Sequence, residues 1–475
     1  MLFKKLQLQD MSDADQELTP MYSRHVLNEP IPRYNFPDNE ILPRTAYSLI
    51  HDELMLEGNS RLNMATFVTT WMEPEARLLM SETFDKNMID KDEYPQTAAL
   101  EMRCVNMLAH LWSSPDHEEA TGCSTIGSSE ACMLGGLALK WKWRQRMQAA
   151  GKPTDKPNMV MGINVQVCWE KFCRYWDVEP RFVPMEGDRF IISTEEAIKL
   201  CDENTIGVVA IMGSTFDGSY EPVKEIAAAL DELQQQKGCN IPIHVDAASG
   251  GFVAPFLQPD LEWDFRVPRV KSINASGHKY GLVYPGVGWI IWRDREELPE
   301  DLIFNVNYLG GNMPTFALNF SRPGNQIVAQ YYNFLRLGRT GYTRIQKTCQ
   351  DIALYLSSQI AEIGPFKLIS KGDDIPVFAF ALKEQSNFTV FDLSERLRDR
   401  GWLVPAYTFP RNREDLAVLR IVVKDGFSRE MADVLIGDLR RHLKFFESQP
   451  GYKPIPAHSS FSHGTGGGEK PLSQH

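Results

Sequence analysis

The sequence predicts an α/β protein in which a mostly parallel, buried sheet is followed by a smaller α+β domain. Two observations carry this prediction. Between about residues 60 and 345, short apolar runs alternate with stretches of helical periodicity, as in successive βα units. Beyond about residue 345, the helix-like TCQDIALYLSSQIAEIG precedes the strand-like VFAFAL, the helix-like FDLSERLRDRG and the strand-like LAVLRIVV. That mixture is typical of an α+β domain.

Four segments follow from these patterns. Residues 1–60 are rich in proline and polar groups, as in EPIPRYNFPDNEILPR, and predict an irregular arm that needs another surface, such as a neighbouring subunit. Residues 61–345 form the large domain, in which PVKEIAAALDELQQQ is a predicted helix. Its predicted strands are NMVMGI, RFVPM, TIGVVAIMG, IPIHVDAA, VKSINASG and VGWIIW. Residues 346–450 form the small domain, and residues 451–475 form a tail without a core-forming pattern.

Composition argues against several classes of function. The formal net charge is -12 and the basic residues do not cluster, which argues against binding to nucleic acid or to an anionic membrane. No signal-peptide pattern opens the chain, and no apolar run approaches the roughly 18 residues of a membrane-spanning helix. We therefore expect a soluble, cytoplasmic protein.

The 8 cysteines are scattered without a CxxC pair. This spacing favours reduced thiols over a disulfide framework and predicts no metal site. Cys132 and Cys168 stand among apolar residues and are predicted to be buried as small hydrophobic side chains.

Three stretches of the large domain carry chemistry. In TIGSSEACMLGG, Ser128 and Ser129 precede a long helical pattern. Free backbone N–H groups and hydroxyls at such a helix start would hold a phosphate. The common alternative is that the serines cap the helix, with Glu130 in its first turn. In IPIHVDAASGG, a buried strand delivers Asp246 to the ligand-binding edge of the sheet, unless this residue only caps the next turn. In ASGHKYG, Lys279 follows another strand, and taken alone it is more readily interpreted as an exposed surface lysine.

In this order the three stretches fit one cofactor. Pyridoxal phosphate needs an anion site, a carboxylate that keeps its pyridine nitrogen protonated, and a lysine amine for a Schiff base. A P-loop is excluded because GxxxxGK[ST] is absent, and a dinucleotide fold is excluded because no GxGxxG follows a strand.

These stretches belong to a longer resemblance. From about residue 45 to 445 the chain closely resembles the pyridoxal-phosphate-dependent glutamate decarboxylases of bacteria and plants, which have the aspartate-aminotransferase-like fold (fold type I). The matching stretches are NMATFVTTWMEPEA, NMIDKDEYPQTAALEMRCVNMLAHLW, TIGSSEACMLGG, HVDAASGGFVAPF, ASGHKYG and FNVNYLGG followed by FSRPGNQ. The resemblance implies Lys279 as the Schiff-base lysine, with Asp246, the pyridinium partner, and His278 as the other catalytic residues. It implies these cofactor contacts: Ser128, Ser129, Gln166 against the ring, Thr215, Asp246, Ala248, Ser276, His278 and Lys279.

The resemblance also implies a substrate, L-glutamate, which would be converted to 4-aminobutanoate and carbon dioxide. The implied substrate contacts are Thr66, Phe67, Asn87, Asp90 and Arg420. Some of them would act across a subunit boundary, so we expect a homo-oligomer with shared sites, in which the dimer is the unit and a hexamer is one larger assembly. Without the resemblance, Thr66 and Phe67 read as helix or core residues and Arg420 as an ion-pair partner at the rim. An aminotransferase, or a decarboxylase of another amino acid on the same fold, is the alternative activity.

Three expectations concern regulation and pH dependence. The tail sequence SSFSHG places His463 where bacterial relatives have a histidine that blocks the site at neutral pH, although 12 residues follow it here and an idle tail is the alternative. Calmodulin is not expected as a partner, because the tail lacks tryptophan and carries little charge. Asp90 beside a substrate carboxylate would favour acidic operation, because two adjacent carboxyl groups do not both ionise easily.

Overall fold

The computed structural model describes residues 32–115, 118–307 and 313–454. The chain divides into two units, Met1–Asn59 and Ser60–His475. In the first unit, the described part contains helix α1, Pro43–Leu54, which starts with a proline at a position where no backbone N–H is needed. The domain boundaries expected from the sequence stay predictions.

A seven-stranded sheet lies at the centre of the second unit and confirms the predicted α/β class. Its spatial order is β1-β7-β6-β5-β4-β2-β3, and every pairing is parallel except those of β7 with β1 and β6. The strands are β1 Gly122–Thr125, β2 Asn158–Gly162, β3 Glu179–Val183, β4 Thr205–Ile211, β5 Ile243–Asp246, β6 Val270–Ala275 and β7 Gly288–Trp292. Every residue of β2, β4, β5 and β7 is buried, because helices cover the sheet on both sides.

Neighbouring strands end in register at one edge of this sheet. Asp246 of β5 pairs with Ile211 of β4 and with Asn274 of β6. Because these strands run parallel, the loops after them open on the same side. That edge carries the chemical residues described below.

Helices surround the sheet and link it to the C-terminal part. They are α2 Pro74–Glu82, α3 Pro95–Leu111, α4 Ser128–Ala149, α5 Val167–Tyr175, α6 Thr194–Leu200, α7 Val223–Lys237, α8 Ala254–Leu257, α9 Asn325–Glu362, α10 Val390–Arg398 and α11 Arg429–Glu447. Short 3₁₀ turns occupy Ser60–Leu62, Gly250–Phe252, Arg295–Glu297 and Glu300–Leu302. Gly338, with φ of 54°, interrupts the helical conformation within α9. None of the helices in the described ranges is long and apolar enough to cross a membrane.

Helix α4 lies across the sheet and contacts β4, β6 and β7. Two glycines allow this close approach. A Cβ atom on Gly135 would lie 2.5 Å from Cε1 of His244 in β5, and one on Gly136 would lie 2.6 Å from the ring of Phe172 in α5. The pair in MLGG therefore brings the N-terminus of α4 close to the carboxyl end of β5.

A second sheet, antiparallel and four-stranded, has the order β10-β11-β13-β12. Its strands are β10 Phe366–Leu368, β11 Val377–Leu382, β12 Ala406–Thr408 and β13 Ala417–Val422, while β8 Phe304–Val306 and β9 Met313–Thr315 form a separate pair. Helix α9 packs on β10 and α11. Helix α10 begins with a capping box in which Thr389 and Asp392 each bond the other's backbone N–H. The strand and helix patterns predicted for this region are confirmed.

Candidate active site

A cavity of about 240 Å³ lies at the carboxyl edge of the large sheet. The N-terminus of α4, the end of β5 and the loops after β2, β4 and β6 line it. All nine residues predicted as cofactor contacts are among the lining residues: Ser128, Ser129, Gln166, Thr215, Asp246, Ala248, Ser276, His278 and Lys279. Although these residues are spread over five segments of the chain, the topology brings them to one place.

The first turn of α4 forms one wall of the cavity. Gly127 is the N-cap residue and no side chain caps the helix, so the alternative in which Ser128 or Ser129 serves as a cap is wrong. Instead the Ser128 and Ser276 hydroxyls lie 2.6 Å apart, joining α4 to the loop after β6. Uncapped N–H groups, two hydroxyls and the positive end of a helix dipole suit a phosphate group.

Glu130 holds this turn from the other side. Its carboxylate accepts hydrogen bonds from the backbone N–H of Ile126, at 2.8 Å, and of Asn319, at 3.0 Å. Gly127 has to be small, because a Cβ atom there would lie 2.9 Å from the His278 ring. The turn before the helix is thus fixed by backbone contacts and by close packing.

Asp246 supplies the buried carboxylate of the cavity. Its Oδ1 accepts hydrogen bonds from Asn274 Nδ2 at 3.0 Å and from Ala248 N at 3.2 Å, and its Oδ2 accepts one from Trp169 Nε1 at 2.9 Å. The bond to Ala248 is the turn contact considered from the sequence, so Asp246 both shapes the turn and lines the cavity. The Cys132 thiol donates to the same Oδ2 at 3.6 Å, so the four donors that hold the carboxylate are all neutral.

A second layer orients these donors. His244 Nδ1 lies 2.7 Å from Ser272 Oγ, and His244 Nε2 lies 2.7 Å from Asn274 Oδ1. Burial lowers the pKa of His244 to about 4, so the ring is neutral and can donate from Nε2 to Asn274. The sequence reading missed His244, Asn274 and Trp169. The alternation of IHVD, which puts His244 and Asp246 on one face of β5, was the available signal for the first of them.

Lys279 is partly buried and faces the cavity, so the reading of an exposed surface lysine is wrong. Its Nζ lies 5.2 Å from the centre of the Phe67 ring. Burial lowers the pKa of Lys279, while Asp246 opposes that effect. The backbone of the lysine is held by Thr69, whose Oγ1 donates to Lys279 O at 2.6 Å. A lysine with a lowered pKa spends more time as the free amine, which is the nucleophilic form.

His278 completes the wall beside Lys279. Burial lowers its pKa to about 4, and the positive charge of Lys279 acts in the same direction. Its Nδ1 accepts a hydrogen bond from Gly286 N at 3.4 Å. At neutral pH this histidine therefore offers the cavity a flat, uncharged ring.

Glu221 joins the loops that carry Gln166 and Thr215, although the sequence reading gave it no role. Its Oε1 accepts from Asn164 Nδ2 at 2.9 Å, and its Oε2 accepts from Ile211 N at 2.7 Å. Burial raises the pKa of Glu221 to about 7, while these hydrogen bonds oppose the rise. Because Asn164 also lines the cavity, the hydrogen bond from Asn164 to Glu221 fixes the position of this part of the cavity wall.

Two of the predicted substrate contacts, Phe67 and Arg420, lie beside Lys279. Arg420 is buried, and its guanidinium carbon lies 4.8 Å from the Phe67 ring centre and 5.6 Å from that of Tyr407. It donates to the backbone carbonyl groups of Ala65 and Thr215, which flank Thr66 and the cavity. Thr66 and Phe67 lie in an irregular segment rather than in a helix, although Phe67 is indeed buried.

Arg420 does not form the ion pair that the sequence alternative suggested. Within the described parts of the chain, no carboxylate oxygen lies within 4.0 Å of its guanidinium nitrogens, and its buried Nε has no hydrogen-bond partner. A buried cation whose charge is not balanced by the protein is suited to binding a carboxylate ligand.

None of the five predicted substrate contacts is among the residues that line this cavity, although Phe67 lies beside Lys279 and Arg420 bonds Thr215. Asn87 and Asp90 have their contacts elsewhere. Asn87 Oδ1 accepts from Arg322 N at 3.1 Å, and Asn87 forms a bridge with Pro323. The carbonyl of Asp90 accepts from Tyr94 N at 2.8 Å, at the start of α3. His463 lies outside the described residues.

Arg322, which holds Asn87, belongs to a buried ion pair. Its Nη1 lies 3.2 Å from Glu101 Oε1 in α3 and also bonds Ser124 at the end of β1.

We expect Arg322→Met to lower the free energy of unfolding by about 3–5 kcal/mol, because Glu101 would stay buried without a cation. Urea unfolding at fixed protein concentration measures this loss. The matched control is Arg336→Met, which breaks a half-exposed pair with Glu73 and should cost less than about 1 kcal/mol. Equal losses in the two variants would contradict the importance of burial.

The geometry passes a chemical test for pyridoxal phosphate. One cavity presents uncapped N–H groups and hydroxyls for a phosphate, a buried carboxylate without a cationic partner for a pyridine nitrogen, and an amine for an aldehyde. The donor set therefore fits all three polar parts of the cofactor.

Comparison with known proteins agrees with the fit of this cavity to pyridoxal phosphate. The family model described as "Pyridoxal-dependent decarboxylase conserved domain" matches residues 37–383. The chain is 61% identical to glutamate decarboxylase of Aliivibrio fischeri over 95% of this chain and 98% of that protein. It is 50% identical to glutamate decarboxylase of Solanum lycopersicum over 94% of this chain and 89% of that protein.

A solved structure of Lactobacillus brevis glutamate decarboxylase superposes with a TM-score of 0.88 at 47% identity, covering 91% of this chain and 99% of that one. A sphingosine-1-phosphate lyase of Burkholderia pseudomallei shares the fold at 20% identity, with a TM-score of 0.73 over 87% of this chain and 93% of that one.

Proposed function

We propose that this chain, which belongs to the pyridoxal-dependent decarboxylase family, converts L-glutamate to 4-aminobutanoate and carbon dioxide with pyridoxal phosphate as its cofactor. The convergence of an anion cradle, a buried carboxylate and a lysine in one cavity is the observation that carries the proposal. Full-length relatives that are glutamate decarboxylases by name support the choice of substrate.

Three groups of the chain would hold the cofactor. The N-terminus of α4, with Ser128, Ser129 and Ser276, takes the phosphate, because these donors carry no compensating negative charge. Asp246 would pair with the ring nitrogen and keep it protonated, His278 and Gln166 would lie at the ring, and Thr215 and Ala248 would complete the walls. Lys279 Nζ would hold the cofactor through its aldehyde carbon. When bound, pyridoxal phosphate supplies a sink for the electron pair that departing carbon dioxide leaves behind.

The chain also manages protons. Lys279 has a lowered pKa and sits in the cavity, so its Nζ can take up a proton when substrate displaces it and can return one to the substrate carbon. Asp246 keeps its charge through neutral donors only, which directs its electrostatic effect to the ring nitrogen. Phe67 and the buried neutral ring of His278 limit the access of water to Lys279.

Arg420 is the group that binds a substrate carboxylate. Its charge is not balanced among the described residues, and its stacking on Phe67 places it on the same ring as Lys279 Nζ. Thr66 lies beside the carbonyl group that Arg420 holds, and contributes to the substrate side of the site. Two carboxylates in the substrate require a cation at one end and a polar neutral pocket at the other, which these residues provide.

Incubation with L-glutamate or L-aspartate plus pyridoxal phosphate tests this function. Release of 4-aminobutanoate and carbon dioxide from glutamate, without products from aspartate, is the expected result. A keto acid formed together with amino-group transfer to a second substrate would instead identify an aminotransferase and overturn the proposal.

A homo-oligomer with shared sites is part of the proposal. Asn87 and Asp90 lie away from the cavity of their own chain, which supports a role in the site of a neighbouring subunit. The cytoplasm is the compartment that suits the protein, because its described cysteines are free thiols, 7 of them buried.

Complementation provides a test of the shared site. Neither Lys279→Ala nor Asp90→Ala protein should be active alone, but a mixture should regain about a quarter of wild-type activity if dimers pair randomly, because each mixed dimer keeps one intact site. The matched control mixes Lys279→Ala with Arg420→Ala, whose residues belong to the same chain, and should show no rescue. If differently tagged subunits co-purify and the first mixture stays inactive, each site is built within one chain.

The tail is proposed to act as a pH gate through His463. A neutral imidazole could enter the cavity and block the cofactor position, whereas a charged imidazolium could not bond there, so acidification would release it. Deleting residues 455–475 should raise activity several-fold near neutral pH and leave the acidic side of the pH–rate profile unchanged. The full-length His463→Ala protein is the matched control and should behave in the same way. Superimposable profiles of the full-length and truncated proteins would remove the tail from the mechanism.

A further inference from the structure

Two cysteine thiols and a carboxylate meet in the cavity. The ligand atoms of Cys132, Cys168 and Asp246 all lie within 4.8 Å of one another, and the three side chains are buried. The cysteines are far apart in the sequence, so the spacing rule that predicted no metal site did not register them. The reaction described above uses Asp246 and leaves both thiols without a role.

The separations match the coordination geometry of a thiophilic metal ion. Zn²⁺ binds thiolate sulfur at about 2.3 Å and carboxylate oxygen at about 2.1 Å, so tetrahedral ligands place sulfur and oxygen about 3.6 Å apart. Cys132 Sγ lies 3.6 Å from Asp246 Oδ2, to which the thiol donates a hydrogen bond, so a metal ion would replace that proton at the same separation. Two sulfur ligands of such an ion lie about 3.8 Å apart, within the 4.8 Å limit of the cluster.

A metal ion would have to displace the thiol proton of Cys132, because burial and the neighbouring Asp246 raise the pKa of this thiol. Cys132 is in the first turns of α4 and Cys168 is in the first turn of α5, so each thiolate would face the positive end of a helix dipole. Hydrogen bonds from Trp169 and Asn274 already orient the Asp246 carboxylate. Ligands held in this way bind metal more tightly than free ones. Because all three residues line the cavity, a fourth position remains open to water.

We propose that the cofactor-free protein binds one thiophilic divalent cation, Zn²⁺ or Cd²⁺, through Cys132, Cys168 and Asp246, and that this cation and pyridoxal phosphate exclude each other. The exclusion follows because Asp246 cannot serve a metal ion and the pyridine nitrogen at once. Metal binding itself does not depend on the proposed reaction, but the exclusion rests on the proposed placement of the cofactor. The metal would hold the protein inactive until the cofactor is loaded.

Titration of the full-length, cofactor-free protein with Cd²⁺ tests metal binding. The expected signal is an ultraviolet thiolate-to-cadmium charge-transfer band that saturates at one ion per chain. Cys132→Ser and Cys168→Ser should each weaken binding at least tenfold. Cys173→Ser is the matched control, because Cys173 is a buried cysteine of the same helix as Cys168 but is outside the cluster. Affinity should also rise with pH, because the metal displaces thiol protons.

Competition with Zn²⁺ tests whether the metal ion and pyridoxal phosphate exclude each other. Addition of pyridoxal phosphate should release Zn²⁺ to a chromogenic chelator, and the wild-type holoenzyme should show no cadmium–thiolate band. Each cysteine variant is first loaded with pyridoxal phosphate, and normal cofactor absorbance shows that it has folded. Equal Cd²⁺ binding by the Cys132, Cys168 and Cys173 variants would overturn the site. A holoenzyme that binds Cd²⁺ as tightly as the cofactor-free protein would overturn the exclusion, and neither result would bear on glutamate decarboxylation.

Discussion

Replacing Lys279 with alanine is expected to abolish turnover and leave the protein folded. The alanine removes the only amine among the residues that line the described cavity, so the cofactor aldehyde loses its covalent attachment and the substrate carbon loses a proton carrier. Removal of a residue that both bonds and shuttles protons lowers kcat by several orders of magnitude. Noncovalent cofactor binding should persist, because the phosphate cradle and Asp246 are untouched. The measurement is 4-aminobutanoate formation, together with the visible absorbance of the protein.

The matched control for this variant is Lys271→Ala. Lys271 lies on β6, the strand that leads to Lys279, and it pairs with Glu297 outside the cavity. This control should keep nearly all activity. Borohydride should fix the cofactor to the wild-type chain and to the control, but not to Lys279→Ala protein. Full activity in the Lys279 variant would contradict the assignment of the site.

Much of the fold could be predicted because several strands of the large sheet are continuous apolar runs in the sequence. Runs such as TIGVVAIMG are apolar on both faces, which only a strand covered by helices on both sides explains. Strand β1, Gly122–Thr125, escaped prediction because its four small and polar residues have no apolar period, and the pairing with β7 decides its structure. The three-residue strands β10 and β12 are too short to carry a pattern.

The site was predictable where a motif carries its own chemistry. Lys279, Asp246 and the serines of TIGSSEACM could be found because each stands at the end of a recognisable strand or at the start of a helix. Trp169 and Asn274 could not, since their role depends on which strands and helices become neighbours in space. Asn87 and Asp90 were assigned from the family resemblance, because no local pattern indicates the neighbouring subunit in whose site we propose that they act. The cluster of Cys132, Cys168 and Asp246 could not be predicted from the sequence either, because its members meet only in the folded chain.

Asp246→Asn is the second change with a large expected effect, since it keeps the shape of the side chain and removes its charge. We expect kcat to fall roughly 10²–10³-fold or more, the usual loss when one oriented electrostatic partner of the reacting group is removed. An amide cannot keep the ring nitrogen protonated, so the electron pair left by carbon dioxide is poorly accepted. Steady-state kinetics of glutamate decarboxylation provide the measurement, and KM should change much less than kcat.

Stability has to be separated from chemistry in this variant, because Trp169 and Asn274 both donate to Asp246 and an amide nitrogen can leave one of these donors unpaired. Asp264→Asn is the matched control, since Asp264 is buried and bonds Arg266 outside the cavity. It should lose stability and keep kcat.

Pyridoxal phosphate methylated at the ring nitrogen carries a fixed positive charge and needs no carboxylate to maintain it. This analogue should restore part of the activity of Asp246→Asn but give no gain to the wild-type protein. If the analogue leaves the variant as inactive as ordinary pyridoxal phosphate does, while binding equally well, the charge of Asp246 acts on something other than the ring nitrogen.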